Sequence, residues 1–472
     1  MGGGSHAVVT TPSIWFDFDA CSRRIPRYAW FAMDPVVSQF SSLFGGGAAN
    51  AARALHDRMV ADGSPSRFYY NAQLTDAVPP DASYEPLELP AARWSYLTGR
   101  RRRRFGRAFD RMDQKYEHLS TPVHPSRLSA KHPAIDRADV LHLHWISEWF
   151  DHAAFFASVG HSKPLVWTLH DMNPMTGGCH FSDGCQRFTD TCAACPQMPN
   201  DAKWLGRDAA TAFQQIKRDA YSHCDMHLVF PSRWLMQQAH ASDLLRDAAS
   251  MHHIPYGFNL TELAPVNRDE ACHRLGLDPN RRWVAFGADN HGSRRKGMFA
   301  MADIMRRATL NDPSQKLSGL VFGGDSVTPE LADGAHVVSA GKISGAEQKR
   351  WIFGAADAVV VPSLEDNSPL IGLEAMACGR GVIGYAAGGI AEYVRDDATG
   401  SIVDVGDWRA LADRIVQWVN DPDRVSRFGV QSRQVMLREH DDKQQSDRYR
   451  TLYRDVIDAG EHRCDNPRRR AA

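Results

Sequence analysis

The chain of 472 residues reads as an α/β protein made of two parallel-sheet domains. Three observations lead there. Short apolar runs alternate with helical stretches in two separate sets, one before and one after about residue 260, which is the pattern of strand–helix alternation around a parallel sheet. Runs such as Ala358-Val359-Val360-Val361 are apolar at every position rather than at every second one, as strands covered on both faces must be. The distinctive motifs fall at the carboxyl ends of such runs, where open parallel sheets bind ligands.

Composition narrows the function classes. With 55 basic and 56 acidic side chains the net charge is −1, so no global field draws the chain to nucleic acid or to a membrane. No apolar run reaches the ~18 residues of a membrane span, and no charged segment followed by an apolar one opens the chain. A soluble, cytoplasmic protein is expected. Nine cysteines, an odd number spread thinly apart from one cluster, do not form the framework of a secreted disulfide domain.

Taken in order, residues 1–35 lack a period and read as an extension. Within it Asp17-Phe18-Asp19 matches a metal-binding Asp-x-Asp pattern, but three residues ahead of any regular architecture are read as ordinary acids. The first domain is expected over 36–258. Its strands are Val36–Phe40, Arg67–Tyr70, Asp139–His144, Pro164–His170 and Met226–Phe230. After the first comes Gly45-Gly46-Gly47, where small residues let backbone amides of Gly46 and Gly47 approach a phosphate or sugar. Strand alternation puts His142 and His144 on one face, Leu141 and Leu143 on the other.

The second domain is expected over 268–444. Its strands are Trp283–Gly287, Gly319–Gly323, His336–Ser339, Ala358–Val361, Gly381–Tyr385 and Ser401–Val403. Residues 445–472 are expected to hold a terminal helix crossing back to the first domain and a basic tail, Arg468-Arg469-Arg470.

The most informative segment is Pro362–Gly379. Asn367 or Ser368 suits a helix cap, Pro369 a first helical position, and Gly379 a helix end. The free amides of Leu370 and Ile371 then point out of the helix start, where an anion binds well. Asp366 and Glu374 flank that start. Carboxylates beside an anion site repel it unless they read hydroxyls, so the pair suggests a ligand with both phosphate and sugar parts. Upstream, Ser293-Arg294-Arg295-Lys296-Gly297 follows a strand, and Lys296 is a point charge able to neutralise a diphosphate.

The 362–379 segment resembles the retaining glycosyltransferases of family 4, whose signature is an acidic residue, seven others, then Glu-Ala-hydrophobic-Ala. Asp366 stands where that family usually has Glu, and Glu365 beside it would break the spacing. The resemblance covers about residues 36–445. It implies the GT-B architecture, two Rossmann-like domains facing across a cleft, with Ile254–Leu260 resembling the family's hinge phrase. It implies a phosphate-binding role for Lys296. The family's Arg just after the strand is replaced by Ala288, with Arg294 or Arg295 as substitutes. It further implies base contacts by Gly341 and Lys342, sugar contacts by Asp366, ribose contacts by Glu374, and an acceptor-side His at His144, with His170 and Asp171 beside it. No metal is implied for catalysis, because cations and a helix start supply the positive potential.

The phrase running from His170 through Cys179, Cys185, Cys192 and Cys195 resembles the subgroup of family 4 that includes colanic-acid-type exopolysaccharide glycosyltransferases. Four thiols ending in Cys-x-x-Cys have the content of a structural zinc site; a reduced thiol cluster or a redox pair at Cys192 and Cys195 are the other readings. Arg100–Arg107 is a basic stretch that can dock on anionic lipid at the inner face of a membrane or hold a lipid-linked diphosphate, or be a solvated arm. Nucleic acid is the weaker partner there, since no aromatic stacking platform accompanies it.

The function expected is transfer of a sugar from a nucleotide-diphosphate sugar to a growing glycan or lipid-linked acceptor in polysaccharide biosynthesis. A nucleotide-sugar epimerase of the same fold would use the same donor residues without an acceptor. A sugar- or nucleic-acid-binding protein with a degenerate transferase body would bind without turnover.

Overall fold

The computed structural model describes residues 34–75, 80–89, 119–124, 128–160, 162–199, 202–288, 292–323, 331, 333–343 and 345–464. The stretch Arg100–Arg107, the Asp17-Phe18-Asp19 pattern, nearly all of the 1–35 extension and the Arg468-Arg469-Arg470 tail lie outside the described residues.

The first sheet contains β1 (Val37–Ser41), β2 (Ser66–Tyr70), β3 (Tyr84–Pro86), β4 (Val140–Leu143), β5 (Leu165–Thr168), β8 (Met226–Phe230) and β9 (Ser250–His253). Between β5 and β8 the two-residue strands β6 (Lys203–Trp204) and β7 (Arg207–Asp208) form a small antiparallel hairpin. The sheet is parallel throughout, in the order β3-β2-β1-β4-β5-β8-β9. The second sheet contains β10 (Arg282–Gly287), β11 (Leu317–Phe322), β12 (Val337–Ser339), β13 (Ala358–Val361), β14 (Val382–Tyr385) and β15 (Gly400–Val403), parallel in the order β12-β11-β10-β13-β14-β15. This is the GT-B arrangement of two Rossmann-like domains. The edge strands β3 and β9 were not among the predicted strands. β3 is only three residues long, and β9 is a half-buried polar segment without an apolar run.

Each sheet reverses its strand order once, between β1 and β4 and between β10 and β13. Loops leaving neighbouring strands on opposite sides of such a point diverge and leave a crevice. The loops after β1, β4, β10 and β13 supply Gly45–Gly47, Trp145, Ala288 and Pro362–Ser363, and all of them line one cleft. Because β10 and β13 are covered on both faces, the buried run Ala358–Val361 contributes every side chain to the second core.

The chain passes between domains at Tyr256–Phe258 and returns at His440–Asp442. The two crossings are bonded to each other, Phe258 N–H to the His440 carbonyl at 2.9 Å and Asp442 N–H to the Phe258 carbonyl at 3.2 Å. At Gly257 an added Cβ would lie 2.7 Å from the Asp442 Cα, so only glycine admits this approach. The returning helix Asp442–Cys464 packs Tyr449 and Tyr453 against Val37, Val140 and Val166 beneath the first sheet. Among the described residues no helix is long and apolar enough to cross a membrane.

Candidate active site

The cleft holds a cavity of about 450 Å³ whose walls come from both domains. On the second-domain side, Lys296 Nζ lies 2.7 Å and an Arg295 guanidinium nitrogen 3.0 Å from the same Asp366 carboxylate oxygen. Burial pushes the Asp366 carboxyl up, but the charges and hydrogen bonds of Lys296 and Arg295 outweigh it and leave the group below the usual carboxylate range. Asp366 is therefore an anion already matched to two cations. Arg295 lines the cavity, as does Ala288; of the two arginines suggested as substitutes at Ala288, Arg295 is the one that reaches the site. Gly297 has φ 71, and an added Cβ would run into the Pro362 carbonyl, so a residue without a side chain is what lets the Lys296 turn lie against the end of β13.

The helix Leu370–Ala377 begins at the cavity wall, and no side chain caps it. Pro369 stands at the cap position rather than at the first helical position, and Asn367 is not a cap: its carboxamide is engaged across the cleft, with Nδ2 donating to the His170 carbonyl at 3.0 Å. Leu370, Ile371 and Glu374 all line the cavity. The uncapped amides leave a positive helix end facing it. Glu374 pairs with Lys349 Nζ at 2.6 Å.

From the first domain Gly46 and Gly47 line the opposite wall, where Gly46 precedes the helix Gly47–Ala61 and again no side chain caps the helix start. His170 and Asp171 line the cavity; His144 does not. His144 stands one layer behind, with its Nε2 3.0 Å from Gln39 Oε1 and its Nδ1 3.2 Å from His170 Nε2. Gln39 Nε2 donates to Ser66 Oγ, so Gln39 Oε1 accepts from His144, His144 Nδ1 accepts from His170, and His170 Nδ1 accepts from the Tyr256 hydroxyl at 2.7 Å. Both nitrogens of each ring are committed. Burial, reinforced by the neighbouring imidazoles, holds His144 neutral, and burial lowers His170 to about 4 against the opposing charge of Asp171. The expectation that His144 faces the ligand is corrected: a strand end buried under the next strand's loop places it behind His170.

Gly341 and Lys342 do not line the cavity, whereas Ile343 does. Gly341 instead accepts the Gly323 N–H through its carbonyl at 2.9 Å, which fixes the turn that presents Ile343. The sequence reading missed Lys349, Tyr256 and His180 as cavity residues. Asp171 accepts from Trp145 Nε1 and His180 Nδ1, both at 2.7 Å, and from the Asn173 N–H at 2.8 Å. Burial raises the Asp171 carboxyl, but the charge and hydrogen bond of His180 and the donors from Asn173 and Trp145 bring it below its ordinary value. For His180, nine residues beyond Asp171 in the His170–Cys195 phrase, nearness to that motif was the available signal. Lys349 sits in a helix with no motif around it and had none.

Cys179, Cys185, Cys192 and Cys195 line a second, small pocket of about 20 Å³. The Gly177 N–H donates to Cys192 Sγ at 3.3 Å, and burial pushes the Cys192 thiol up to about 11. Among the described residues no three His, Cys, Asp or Glu side chains are gathered as a cage for a metal ion. All four are free of disulfide bonds.

Residues 330–435 match the family model "Glycosyl transferases group 1". Over 195 residues the chain is 30% identical to a D-inositol 3-phosphate glycosyltransferase of Nocardia farcinica, a match covering 38% of this chain and 42% of that protein. The chain thus spans about two fifths of the length of that curated relative. Among solved structures, sucrose-phosphate synthase of Thermosynechococcus elongatus superposes with a TM-score of 0.60 at 18% identity, over 90% of this chain and 100% of that one. Anabaena HepE, solved in complex with UDP, superposes with a TM-score of 0.57 at 14% identity over 89% and 100%. At these identities the likeness of the solved structures is one of fold. The segment 330–435, which carries Asp366, Glu374 and the helix start between them, is similar to the glycosyl transferases group 1 family, and it is set within a chain that has the two-domain GT-B fold.

Proposed function

We propose that this chain is a retaining glycosyltransferase of the hexosyl-transferring type that uses a nucleotide-diphosphate sugar. The observation that carries the reading is the convergence of Lys296, Arg295 and the uncapped start of the helix Leu370–Ala377 on one cavity. As the bond from sugar to diphosphate breaks, negative charge grows on the leaving phosphate oxygens. Donors already fixed at that point stabilise the transition state more than the ground state. Asp366 pairs with the two cations in the free protein, and in this reading it meets sugar hydroxyls when phosphate takes over their charge. Glu374, beside Lys349, is read as the ribose contact. The names of the relatives support sugar transfer, and the HepE complex supports a uridine nucleotide as the first donor base to try.

On the acceptor side the reading is a growing glycan or lipid-linked sugar, supported by the His170–Cys195 phrase and by a cavity open between the domains. Asp171, His180 and Trp145 line that side of the cavity, while Gly46 and Gly47, at the uncapped start of their helix, are read as donor contacts. The zinc expectation is not carried into the reaction, and no step depends on it.

The test is incubation with a panel of nucleotide sugars, with and without candidate acceptors, reading released nucleoside diphosphate. Release that rises with acceptor, and a product with the anomeric configuration of the donor, is the expected result. Isomerised donor with no acceptor dependence would establish the epimerase instead. Absence of turnover with every donor would refute the transferase reading.

A further inference from the structure

Glu365, Asp366 and Asn367 follow one another in the loop after β13, yet only Asp366 lines the cavity. Its two neighbours reach across the cleft. Glu365 accepts the N–H groups of Ser182 at 3.1 Å and Asp183 at 2.8 Å and the Ser182 hydroxyl at 3.2 Å. Asn367 bonds the His170 carbonyl and also accepts from the Ser232 hydroxyl at 2.5 Å. The segment that meets Glu365 enters left-handed backbone at Asp183 (φ 49) and Gly184 (φ 77). That conformation is unfavourable for a residue with a side chain. Here it accompanies two consecutive amides converging on one carboxylate, as in an anion-binding nest.

The residue just before this nest is Phe181. Its ring centre lies 3.9 Å from the Arg295 guanidinium carbon, within cation–π range. One Arg295 guanidinium nitrogen, Nη1, is thus held by two acceptors of its own domain, the Glu365 carbonyl at 2.9 Å and the Asp366 carboxylate at 3.0 Å. A face of the guanidinium is covered by a ring from the other domain. Phe181 and Arg295 both line the cavity. A guanidinium with a long flexible stem loses less freedom on binding a phosphate if it is already fixed.

From these contacts we infer that Glu365 is a positioning residue: it docks the 181–183 segment of the first domain onto the donor side, so that Phe181 fixes the Arg295 guanidinium against the diphosphate site. This rests on the donor-site reading given above. It makes full diphosphate affinity conditional on the closed cleft, because Arg295 has its aromatic support only when the two domains meet. Asn367 supplies a second tie at the same loop.

The experiment compares the full-length protein with Glu365→Ala, Glu365→Gln, Phe181→Leu and the double variant Glu365→Ala/Phe181→Leu. Affinities for UDP, GDP and ADP are measured by calorimetry, the donor KM and kcat by nucleotide release, and cleft opening by small-angle scattering. Glu365→Ala and Phe181→Leu should each weaken the preferred nucleoside diphosphate about tenfold and raise donor KM more than they lower kcat. Glu365→Gln, which keeps an acceptor oxygen, should recover part of the loss. The double variant should be little worse than either single one, because both substitutions remove the same Phe181 support from Arg295, one directly and one by undocking its segment. Glu365→Ala should also enlarge the radius of gyration of the free protein. Wild-type affinity in both single variants, with the nucleotide bound normally by wild type, would overturn this inference alone. If wild type binds none of the three nucleotides, the donor-site reading falls, and this inference with it.

Discussion

Lys296 and Asp366 meet at 2.7 Å on the cavity wall, although 70 residues separate them in the chain. The pair holds a lysine cation at the cavity wall against a buried carboxylate. Because Asp366 also binds Arg295, removing Lys296 leaves the carboxylate with one partner rather than none. Lys296→Ala should therefore fold and should lose about 10²-fold or more in turnover, the scale of removing one preorganised charge stabiliser. Nucleotide release by a variant with a wild-type circular dichroism spectrum is the measurement; near-normal turnover would remove Lys296 from the mechanism.

Glu374 and Lys349 form the second pair, at 2.6 Å. Glu374→Ala is expected to weaken donor binding by about 1–3 kcal/mol as hydroxyl contacts are lost, with the nucleotide alone weakened as much as the nucleotide sugar, since the ribose is common to both. Titration of UDP and UDP-sugar by calorimetry separates this from a sugar contact. A loss confined to the nucleotide sugar would move Glu374 to the sugar side.

Turnover is expected to survive brief chelation of Mg²⁺ and Mn²⁺, because Lys296, Arg295 and the helix start at Leu370 supply the charge that a metal would otherwise carry. Asp17→Ala together with Asp19→Ala should likewise be close to neutral. Activity that stops on chelation and returns with Mn²⁺ would reverse the assignment.

Stability should fall between pH 7 and pH 5. Burial lowers His142 to about 3, helped by the charge of His170. Burial lowers His170 to about 4 against Asp171, and it lowers His56 to about 4 against Asp81. Unfolded imidazoles titrate near 6.5, so below that pH the unfolded chain binds more protons and is favoured. The stabilisation is complete above about pH 6.5 and is lost as pH falls toward the folded values, by about 2 kcal/mol per histidine at pH 5. Melting temperatures across this range are the measurement, and His56→Gln combined with His142→Gln should flatten the curve. A melting temperature constant from pH 7 to 5 would contradict the buried neutral state.

The returning helix is held beneath the first sheet by Tyr453, whose hydroxyl lies 2.7 Å from His142 Nδ1, and by Tyr449, bonded to Thr168 at 2.8 Å. Tyr453→Phe should destabilise the protein by about 1 kcal/mol, leaving one buried ring nitrogen without its partner, while donor KM stays unchanged because Tyr453 is outside the cavity. Chemical denaturation with a parallel kinetic assay checks both halves.

The sequence by itself determined the two sheets and where their functional ends lie. All-apolar runs such as Ala358–Val361 announce strands covered on both faces, because backbone geometry and burial are written locally into the pattern of side chains. The strand-to-helix turns at Lys296 and Leu370 were legible for the same reason, since a Gly, a Pro and the polar residues beside them report backbone conformation over a few positions. Tertiary structure alone decided which side chains meet. Asn367 has the composition of a helix cap, yet it spans the cleft to His170. Glu365 disturbed the motif's spacing, yet it joins residues 183 and 182 positions away. His144 ended the right strand, but the loop carrying His170 covers it. Lys349 had no motif, and only the packing of its helix brings it to Glu374. These are pairings between elements remote in sequence, set by how two cores dock on one another, and no local period encodes that docking.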